Sequence, residues 1–153
     1  MRIAIGSDHA GFALKTEVMK WLEEQGLSYH DVGAHCYDAE DDYPDYACAV
    51  GRAVVEREAD LGIMICGTGV GSSIALNKLA GIRAVVCSDT FSVRMSRQHN
   101  DANVLCLGER VVGGGLAKEL VQSWLGESFS GGERQQRRLD KVMALERRGG
   151  GGA

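Results

Sequence analysis

The stretch Leu61–Ile65, with the sequence LGIMI, is a short run without a polar side chain. A continuous apolar run, as opposed to an alternating one, predicts a strand that is covered on both faces, as in a parallel sheet. The run ends in Cys66 and passes into a loop that carries Gly67, Gly69 and Gly71. Ligands bind at the carboxyl ends of the strands of such sheets. The sequence therefore predicts a thiol beside a glycine-rich loop at a ligand-binding edge.

The glycine-rich loop leaves three interpretations open. Its bare amides and the N-terminus of a predicted helix at Ser72–Leu79 suit an anion, so the loop and Cys66 together suit chemistry on a negatively charged small molecule. A dinucleotide site is the second interpretation, although Ser72 takes the place of the third glycine of that fingerprint. Asp89 follows at the distance expected for a ribose-binding acid. The third interpretation is a structural turn with a small buried thiol.

Apolar runs alternate with amphipathic segments along almost the whole chain. Strands are predicted at Arg2–Gly6, Leu27–Val32, Leu61–Ile65, Arg83–Cys87 and Val104–Leu107. Helices are predicted at Phe12–Glu24, Tyr46–Arg57, Ser72–Leu79, Phe91–Gln98, Gly113–Trp124 and Glu133–Arg147. Alternation at this spacing indicates βαβ units. The sequence thus predicts a single α/β domain whose parallel sheet is flanked by helices and has one strand for each of the runs above.

The last predicted helix has only a thin apolar stripe among many arginines. The residues of the stripe are Leu139, Val142, Met143 and Leu145. Such a stripe suits packing on a partner subunit at least as well as packing on the protein's own sheet. We place the domain at residues 1–148 and interpret the glycine-rich residues 149–153 as a disordered tail. A loop is predicted at Gly33–Asp45, and its acidic stretch Asp38–Asp42 is interpreted as solvated surface.

Charge and cysteine content argue against several classes of protein. The 153 residues carry a formal net charge of −4, which disfavours binding to nucleic acid or to a membrane surface. No apolar run is long enough to cross a membrane, and no signal peptide is evident, so we expect a cytoplasmic protein. The five cysteines include no C-x-x-C pair, which predicts neither a disulfide framework nor a zinc site.

Two histidines, His9 and His99, are candidates for acid–base chemistry. Asp8 and His9 follow the first predicted strand, where Asp8 either caps the next helix or belongs with His9 to the ligand-binding edge. His99 closes the helix before the last strand, either as part of a polar turn or as a group that moves protons at neutral pH.

Arginines complete the set of candidate residues. Arg134 and Arg138 lie one helical turn apart, so they form either a solvated basic face or a phosphate clamp. Arg110, after the last strand, is a third candidate for phosphate binding. A thiol, an Asp–His pair, a separate histidine, an amide-rich loop and several arginines suit acid–base chemistry on a phosphorylated polyol or sugar.

Six motifs occur in order from Met1 to about Arg147. They are GSDHAGF, DYPDYA, CGTGVGSSIALNK, GIRAV, SRQHNDANVL and GGERQQRR. Together they resemble the family of ribose-5-phosphate isomerase B and the galactose-6-phosphate isomerase subunits. The resemblance implies an aldose–ketose isomerase of phosphosugars with a Rossmann-like sheet and no nucleotide, metal or other cofactor. It also implies a homodimer or homotetramer with an active site between subunits.

The resemblance assigns a role to each site residue. Cys66 is the expected base that moves the proton between C1 and C2, since the glutamate that some relatives use is absent at Ser72. Thr68 is expected beside the enediolate, and Asp8 and His99 are expected to open the ring and transfer hydroxyl protons. The expected donors to the enediolate are the backbone amides of Gly67, Gly69, Val70, Gly71 and Ser72. The expected phosphate ligands are His9, Arg110, Arg134 and Arg138, and the sugar is expected to contact Tyr43 and Asn100.

Ribose 5-phosphate is the first substrate we expect, and three alternatives stay open. The first is an isomerase of a related six-carbon or four-carbon phosphosugar. The second is a nucleotide- or anion-binding module without catalysis, which would be stabilised thermally by its cofactor. The third is a subunit that needs a partner paralogue, which the complete set of matching site residues disfavours.

Overall fold

The predicted parallel sheet is present in the computed structural model, which describes the backbone of residues 1–149 and the side chains as far as Glu146. Its strands are β1 (Arg2–Ser7), β2 (Ser28–Asp31), β3 (Leu61–Cys66), β4 (Ala84–Val86) and β5 (Val104–Gly108). Their order across the sheet is β2-β1-β3-β5-β4, and every neighbouring pair is parallel. Every residue of β3 and of β5 is buried, as their continuous apolar sequences predict.

Helices cover both faces of this sheet. They are α1 (Phe12–Glu24), α2 (Tyr43–Val55), α3 (Val70–Leu76), α4 (Thr90–Asn100), α5 (Gly114–Leu125) and α6 (Glu133–Gly149), and a 3₁₀ turn at His9–Gly11 precedes α1. Residues of α1, α4 and α5 pack on one face, around Ile63 and Trp124. Residues of α2 and α3 pack on the other face, around Met64 and Cys106. The predicted α/β architecture is thus confirmed.

Most helix boundaries differ from the prediction by one to three residues. Helix α2 begins at Tyr43, inside the stretch predicted as a loop, because Pro44 occupies the first turn, where its missing N–H leaves no hydrogen bond unmade. Helix α3 spans Val70–Leu76 and therefore begins within the glycine loop. Helix α4 extends to Asn100 because Asp101, in a left-handed conformation, ends it. Boundaries depend on single caps and are less constrained by periodicity than the elements themselves.

Helix α6 contacts its own chain at the amino edge of the sheet. The Glu146 carboxylate accepts a hydrogen bond from the Gly81 amide at 3.1 Å, and an Arg83 guanidinium nitrogen lies 3.7 Å from the Met143 sulfur. Leu145 of the thin stripe is 62% exposed, so packing of α6 on a partner stays a prediction. The predicted disordered tail begins at the last residue of α6, and residues 150–153 lie outside the described residues.

Membrane-spanning helices and disulfides were both disfavoured by the sequence. None of the helices in residues 1–149 is both long and apolar enough to cross a membrane. All five cysteines are free thiols.

Candidate active site

The loops after β1 and β3 meet where these two strands lie side by side. Ser7, the last residue of β1, pairs with Ile65 of β3. A Cβ atom on Gly11 would collide with the Ile65 carbonyl oxygen and would lie 2.9 Å from the Cys66 nitrogen. Only glycine lets the turn after β1 approach so closely. Because the chain continues from β1 to one side of the sheet and from β3 to the other, this is the crevice in which open α/β sheets bind ligands.

Cys66 is held at the rim of this crevice by the loop that follows it. Its side chain is buried, and the Gly69 backbone N–H donates a hydrogen bond to Sγ at 3.1 Å. Gly69 has a φ of +79°, and a Cβ there would lie 2.8 Å from a methyl group of Val86. Glycine at this position is therefore what turns the amide toward the sulfur. An amide donor stabilises the negative charge of a thiolate, which is the reactive form of the group.

The segment after β5 supports the same loop. The amides of Glu109 and Arg110 donate to the carbonyl groups of Cys66 at 2.9 Å and of Gly67 at 3.0 Å. The Arg110 guanidinium lies 3.2 Å from the position that a Gly67 Cβ would occupy. Arg110 thus brings a cation to the loop, as the phosphate-binding prediction requires.

Three further candidate residues lie in or against this loop: Thr68 and Ser72 belong to it, and Tyr43 packs on it. The Tyr43 hydroxyl lies 2.9 Å from the position of a Gly71 Cβ, so the first residue of α2 packs on the loop. Thr68 is exposed and borders, with Val70, a cavity of about 410 Å³ between the ends of β3, β4 and β5. Ser72 is fully buried, and its Oγ has no hydrogen-bond partner within the part of the chain that the structure describes.

Asp8 and His9 lie at the same edge, as predicted. Asp8 caps the 3₁₀ turn by accepting from the Gly11 amide at 3.1 Å, and burial raises the pKa of its carboxyl group, against the opposing charge of His9. The His9 ring is bonded through Nδ1 to Asp41 at 2.6 Å. The hydrogen bond to Asp41 raises the pKa of His9 more than any other contact does. The cap and the functional interpretation of Asp8 are therefore compatible.

His99 and Asn100 lie at the amino ends of the strands, opposite to the carboxyl ends at which Cys66 lies. Both belong to the last turn of α4, which runs back from the carboxyl edge to the start of β5. Asn100 and Arg138 line a cavity of about 370 Å³ beside the first residues of β4. Six residues of β3 span the sheet from this edge to Cys66, which corresponds to about 17 Å.

Within one chain, the predicted site is therefore divided into two clusters. The first cluster contains Asp8, His9, Tyr43, Arg110 and the loop from Cys66 to Ser72. The second contains His99, Asn100 and Arg138, with Arg134 one turn earlier on α6. The three arginines do not form a single clamp in one chain, because Arg110 and Arg138 lie at opposite edges of the sheet.

The dinucleotide interpretation loses its acidic residue. Asp89 accepts a hydrogen bond from the Ser92 amide at 2.7 Å and caps α4, which also lowers the pKa of its carboxyl group.

Asp8, His9 and Asp41 bring three potential metal-binding atoms within 4.8 Å of one another. Nδ1 of His9 is occupied by its bond to Asp41, so we interpret this cluster as a hydrogen-bonded pair beside Asp8.

Asp41 is the residue that the sequence interpretation missed. It lies in the stretch interpreted as solvated surface, yet its side chain is only 7% exposed. That interpretation is wrong at Asp41, because the loop folds back over His9, 32 residues away. The acidic character of the stretch was visible, but nothing local distinguishes Asp41 from its neighbours.

Comparison with known proteins gives a consistent result. A family model described as Ribose/Galactose Isomerase matches residues 3–142. Ribose-5-phosphate isomerase B of Escherichia coli is 53% identical over 96% of this chain and 97% of its own length. The structure of Clostridium thermocellum ribose-5-phosphate isomerase B is 49% identical and has a TM-score of 0.93, over 97% of this chain and 99% of that one.

A ligand-bound structure is also among the similar ones. Mycoplasma genitalium ribose-5-phosphate isomerase B with bound ribulose-5-phosphate is 41% identical, with a TM-score of 0.91 over 95% of this chain and 96% of that one. The fold, the motifs and these matches, which extend over almost the whole length of each chain, agree with one another. The chain belongs to the ribose/galactose isomerase family.

Proposed function

We propose that this protein interconverts ribose 5-phosphate and ribulose 5-phosphate through an enediolate, with Cys66 as the base. The observation that carries the proposal is the Cys66 sulfur at the carboxyl edge of the sheet, where the Gly69 amide of the glycine loop donates a hydrogen bond to it at 3.1 Å. The relatives that bear this activity, one of them with ribulose-5-phosphate bound, support the choice of substrate.

The proton transfers follow from the chemistry of an aldose. The Cys66 thiolate removes the proton from C2 of the open-chain sugar, and the electron pair of the C–H bond forms the C1–C2 double bond while O1 becomes negative. Backbone amides that point at such an oxygen contribute about 3 kcal/mol each to the transition state. The thiol then returns the proton to C1, the hydroxyl proton leaves O2, and O1 is protonated, which gives the ketose.

Asp8 is the first group proposed for the transfer of hydroxyl protons. Burial raises the pKa of its carboxyl group, which brings a carboxylic acid closer to the range in which it can both donate and accept a proton. His99 is the second group proposed for ring opening. The transfers on carbon and oxygen require no metal or other cofactor in this scheme.

The proposed site needs a second copy of the chain. The length of β3, about 17 Å at the usual rise of a strand, separates Cys66 from the ends of the strands at which His99, Asn100 and Arg138 lie. In the proposed site these three residues therefore reach a sugar at Cys66 from a neighbouring subunit. A homodimer is the smallest assembly that joins the two clusters.

The proposed phosphate ligands are His9, Arg110, Arg134 and Arg138, and Tyr43 with Asn100 would line the sugar site. The five free thiols fit the proposed cytoplasmic location.

A metal-free isomerisation assay tests the proposal. Purified protein is incubated with chelator and ribose 5-phosphate, with allose 6-phosphate, galactose 6-phosphate and erythrulose 4-phosphate in parallel. Turnover of ribose 5-phosphate with the highest kcat/KM is the expected result. Turnover of another sugar alone would keep the mechanism and change the substrate. Absence of turnover on all four sugars would favour a non-catalytic anion-binding module or a missing partner subunit.

A further inference from the structure

The Asp41 carboxylate makes two hydrogen bonds to the same residue. Its Oδ1 accepts from the His9 backbone N–H at 2.9 Å and from the ring Nδ1 at 2.6 Å. The carboxylate is nearly buried, whereas the His9 side chain is 28% exposed. One oxygen thus holds the backbone and the ring of His9 together and leaves the far side of the ring accessible.

This contact determines which nitrogen of His9 faces a ligand. An ionised carboxylate has no proton to donate, so Nδ1 carries the hydrogen of the shared bond. Nε2 is then the nitrogen that remains for a ligand. The Tyr37 ring, edge-on with its centroid 6.2 Å from that of His9, limits rotation of the imidazole further.

The groups around His9 also favour its charged form. Asp8 and Asp41 both act on it as negative charges, and together they raise the pKa of His9 above its ordinary value. Tyr46 faces the same Asp41 carboxylate, and burial followed by the charge of Asp41 raises the pKa of the Tyr46 hydroxyl, which therefore stays neutral. A charged imidazole presents an N–H at Nε2, which is the donor that a phosphate oxygen requires.

The loop that carries Asp41 has independent anchors. The buried Lys15 ammonium donates to Asp31 at 2.7 Å and to the Ala34 carbonyl at 2.5 Å, and the Asp31 carboxylate also accepts from the Gly33 amide. These contacts hold the beginning of the loop, and α2 begins directly after it. Both ends of the loop are therefore held by contacts other than the bond between Asp41 and His9.

We propose that Asp41 is a positioning residue that holds His9 with Nδ1 protonated and Nε2 directed at the phosphate of the substrate. The inference rests on the proposed function, in which His9 is a phosphate ligand. Asp41 acts through His9 and does not itself contact the sugar. Asp41 lies 32 residues from His9 in sequence. It belongs to none of the motifs of the family resemblance, because the motif DYPDYA begins at the next residue, Asp42.

The test compares Asp41→Asn with Asp42→Asn. Asp42 is the adjacent acid, is exposed and makes no side-chain cap bond to α2, so its variant matches the change of charge. The amide oxygen that Asp41→Asn introduces can still accept from Nδ1, but the neutral side chain no longer favours the imidazolium. We expect Asp41→Asn to raise the KM for ribose 5-phosphate by about 10-fold to 100-fold, the value of one charge-assisted hydrogen bond, with kcat unchanged.

The pH profile separates this role from a purely structural one. The raised pKa means that His9 is charged below that pKa and loses its proton as the pH rises through it. In Asp41→Asn the rise of KM at high pH should therefore begin at a lower pH than in the wild type. Adding Asp41→Asn to a His9→Asn background should change KM no further, because Asp41 acts through His9. An additional loss in that background, or a KM equal to that of Asp42→Asn, overturns the inference.

Ring NMR of His9, titrated with inorganic phosphate, keeps the inference distinct from the proposed function. If the wild type binds phosphate through His9 more tightly than Asp41→Asn does, but isomerises none of the sugars, the isomerase proposal fails and the role of Asp41 in anion binding stands. If neither phosphate binding nor turnover depends on Asp41, the inference fails. A wild-type His9 that carries its proton on Nε2 alone at neutral pH also overturns it, even if Asp41→Asn does not fold.

Discussion

The Gly69 amide and the Cys66 sulfur form a 3.1 Å hydrogen bond that links the end of β3 to the start of α3. The bond exists because Gly69 adopts a left-handed conformation that side chains rarely allow. Gly69, which has no side chain, therefore supplies the hydrogen-bond donor that faces the sulfur of the proposed base, Cys66. Changes at the sulfur and changes in the loop that holds it should have different effects on activity and stability.

Cys66→Ala should fold like the wild type and lose almost all turnover. Alanine fills most of the same buried space, whereas removal of a general base lowers kcat by about 100-fold to 10,000-fold. Steady-state kinetics with ribose 5-phosphate and thermal unfolding of both proteins check this expectation. A variant with wild-type turnover would show that Cys66 is not the base.

Gly108→Ala should reduce stability and activity together. A Cβ at this position would lie 2.6 Å from the backbone of Thr68, so the loop after Cys66 must shift. Such overpacking costs about 1–3 kcal/mol of the free energy of unfolding. Urea unfolding and kcat/KM measure the two effects.

Gly115→Ala is the matched control for that substitution. Gly115 lies in α5 and has open space where a Cβ would be, so alanine should stabilise the protein by about 0.5 kcal/mol without changing kcat/KM. Equal stability of the Gly108→Ala and Gly115→Ala variants would contradict the close approach of β5 to Thr68.

The elements of the fold were predictable because their signals are local. Continuous apolar runs such as Leu61–Ile65 specify buried parallel strands, and amphipathic segments between them specify helices. The start of α2 was not predictable from periodicity, because proline occurs both in loops and in the first turn of a helix, where Pro44 lies. The division of the site was not predictable from motif positions either. It depends on α4 running antiparallel to the strands, which carries His99 away from Cys66.

Lys15→Met should destabilise the protein strongly. The Lys15 side chain is almost fully buried, and its ammonium pairs with Asp31 and with the Ala34 carbonyl. Removing one partner of a buried ion pair leaves the other uncompensated and costs about 3–5 kcal/mol. Urea unfolding measures the loss, and Lys20→Met, at an exposed position on the same helix, is the control. Equal stability of the two variants would show that Lys15 does not stabilise the β2–α2 loop.

Three of the five thiols should differ in their reaction with iodoacetamide near neutral pH. Cys36 is exposed and should react before Cys87 and Cys106. Burial raises the pKa of Cys87 to about 11 and also raises the pKa of Cys106, so both should stay largely unmodified. Peptide mass spectrometry over time gives the order. Early modification of Cys106 would contradict its burial between β3 and β4.

Subunit mixing tests whether the two clusters of site residues meet between chains. Cys66→Ala and His99→Ala should each be inactive as homo-oligomers, because every site then lacks one group. A hybrid dimer of the two has one site in which both substitutions fall and one in which both native residues remain. With random pairing, half of the dimers are hybrids with half of their sites intact, so the mixture should regain about 25% of wild-type activity. The shared site is supported if activity recovers when the two variants are dissociated and reassembled together, and does not recover when each variant is dissociated and reassembled alone. A mixture that stays inactive although the subunits have exchanged would show that His99 and Cys66 do not act in one intersubunit site.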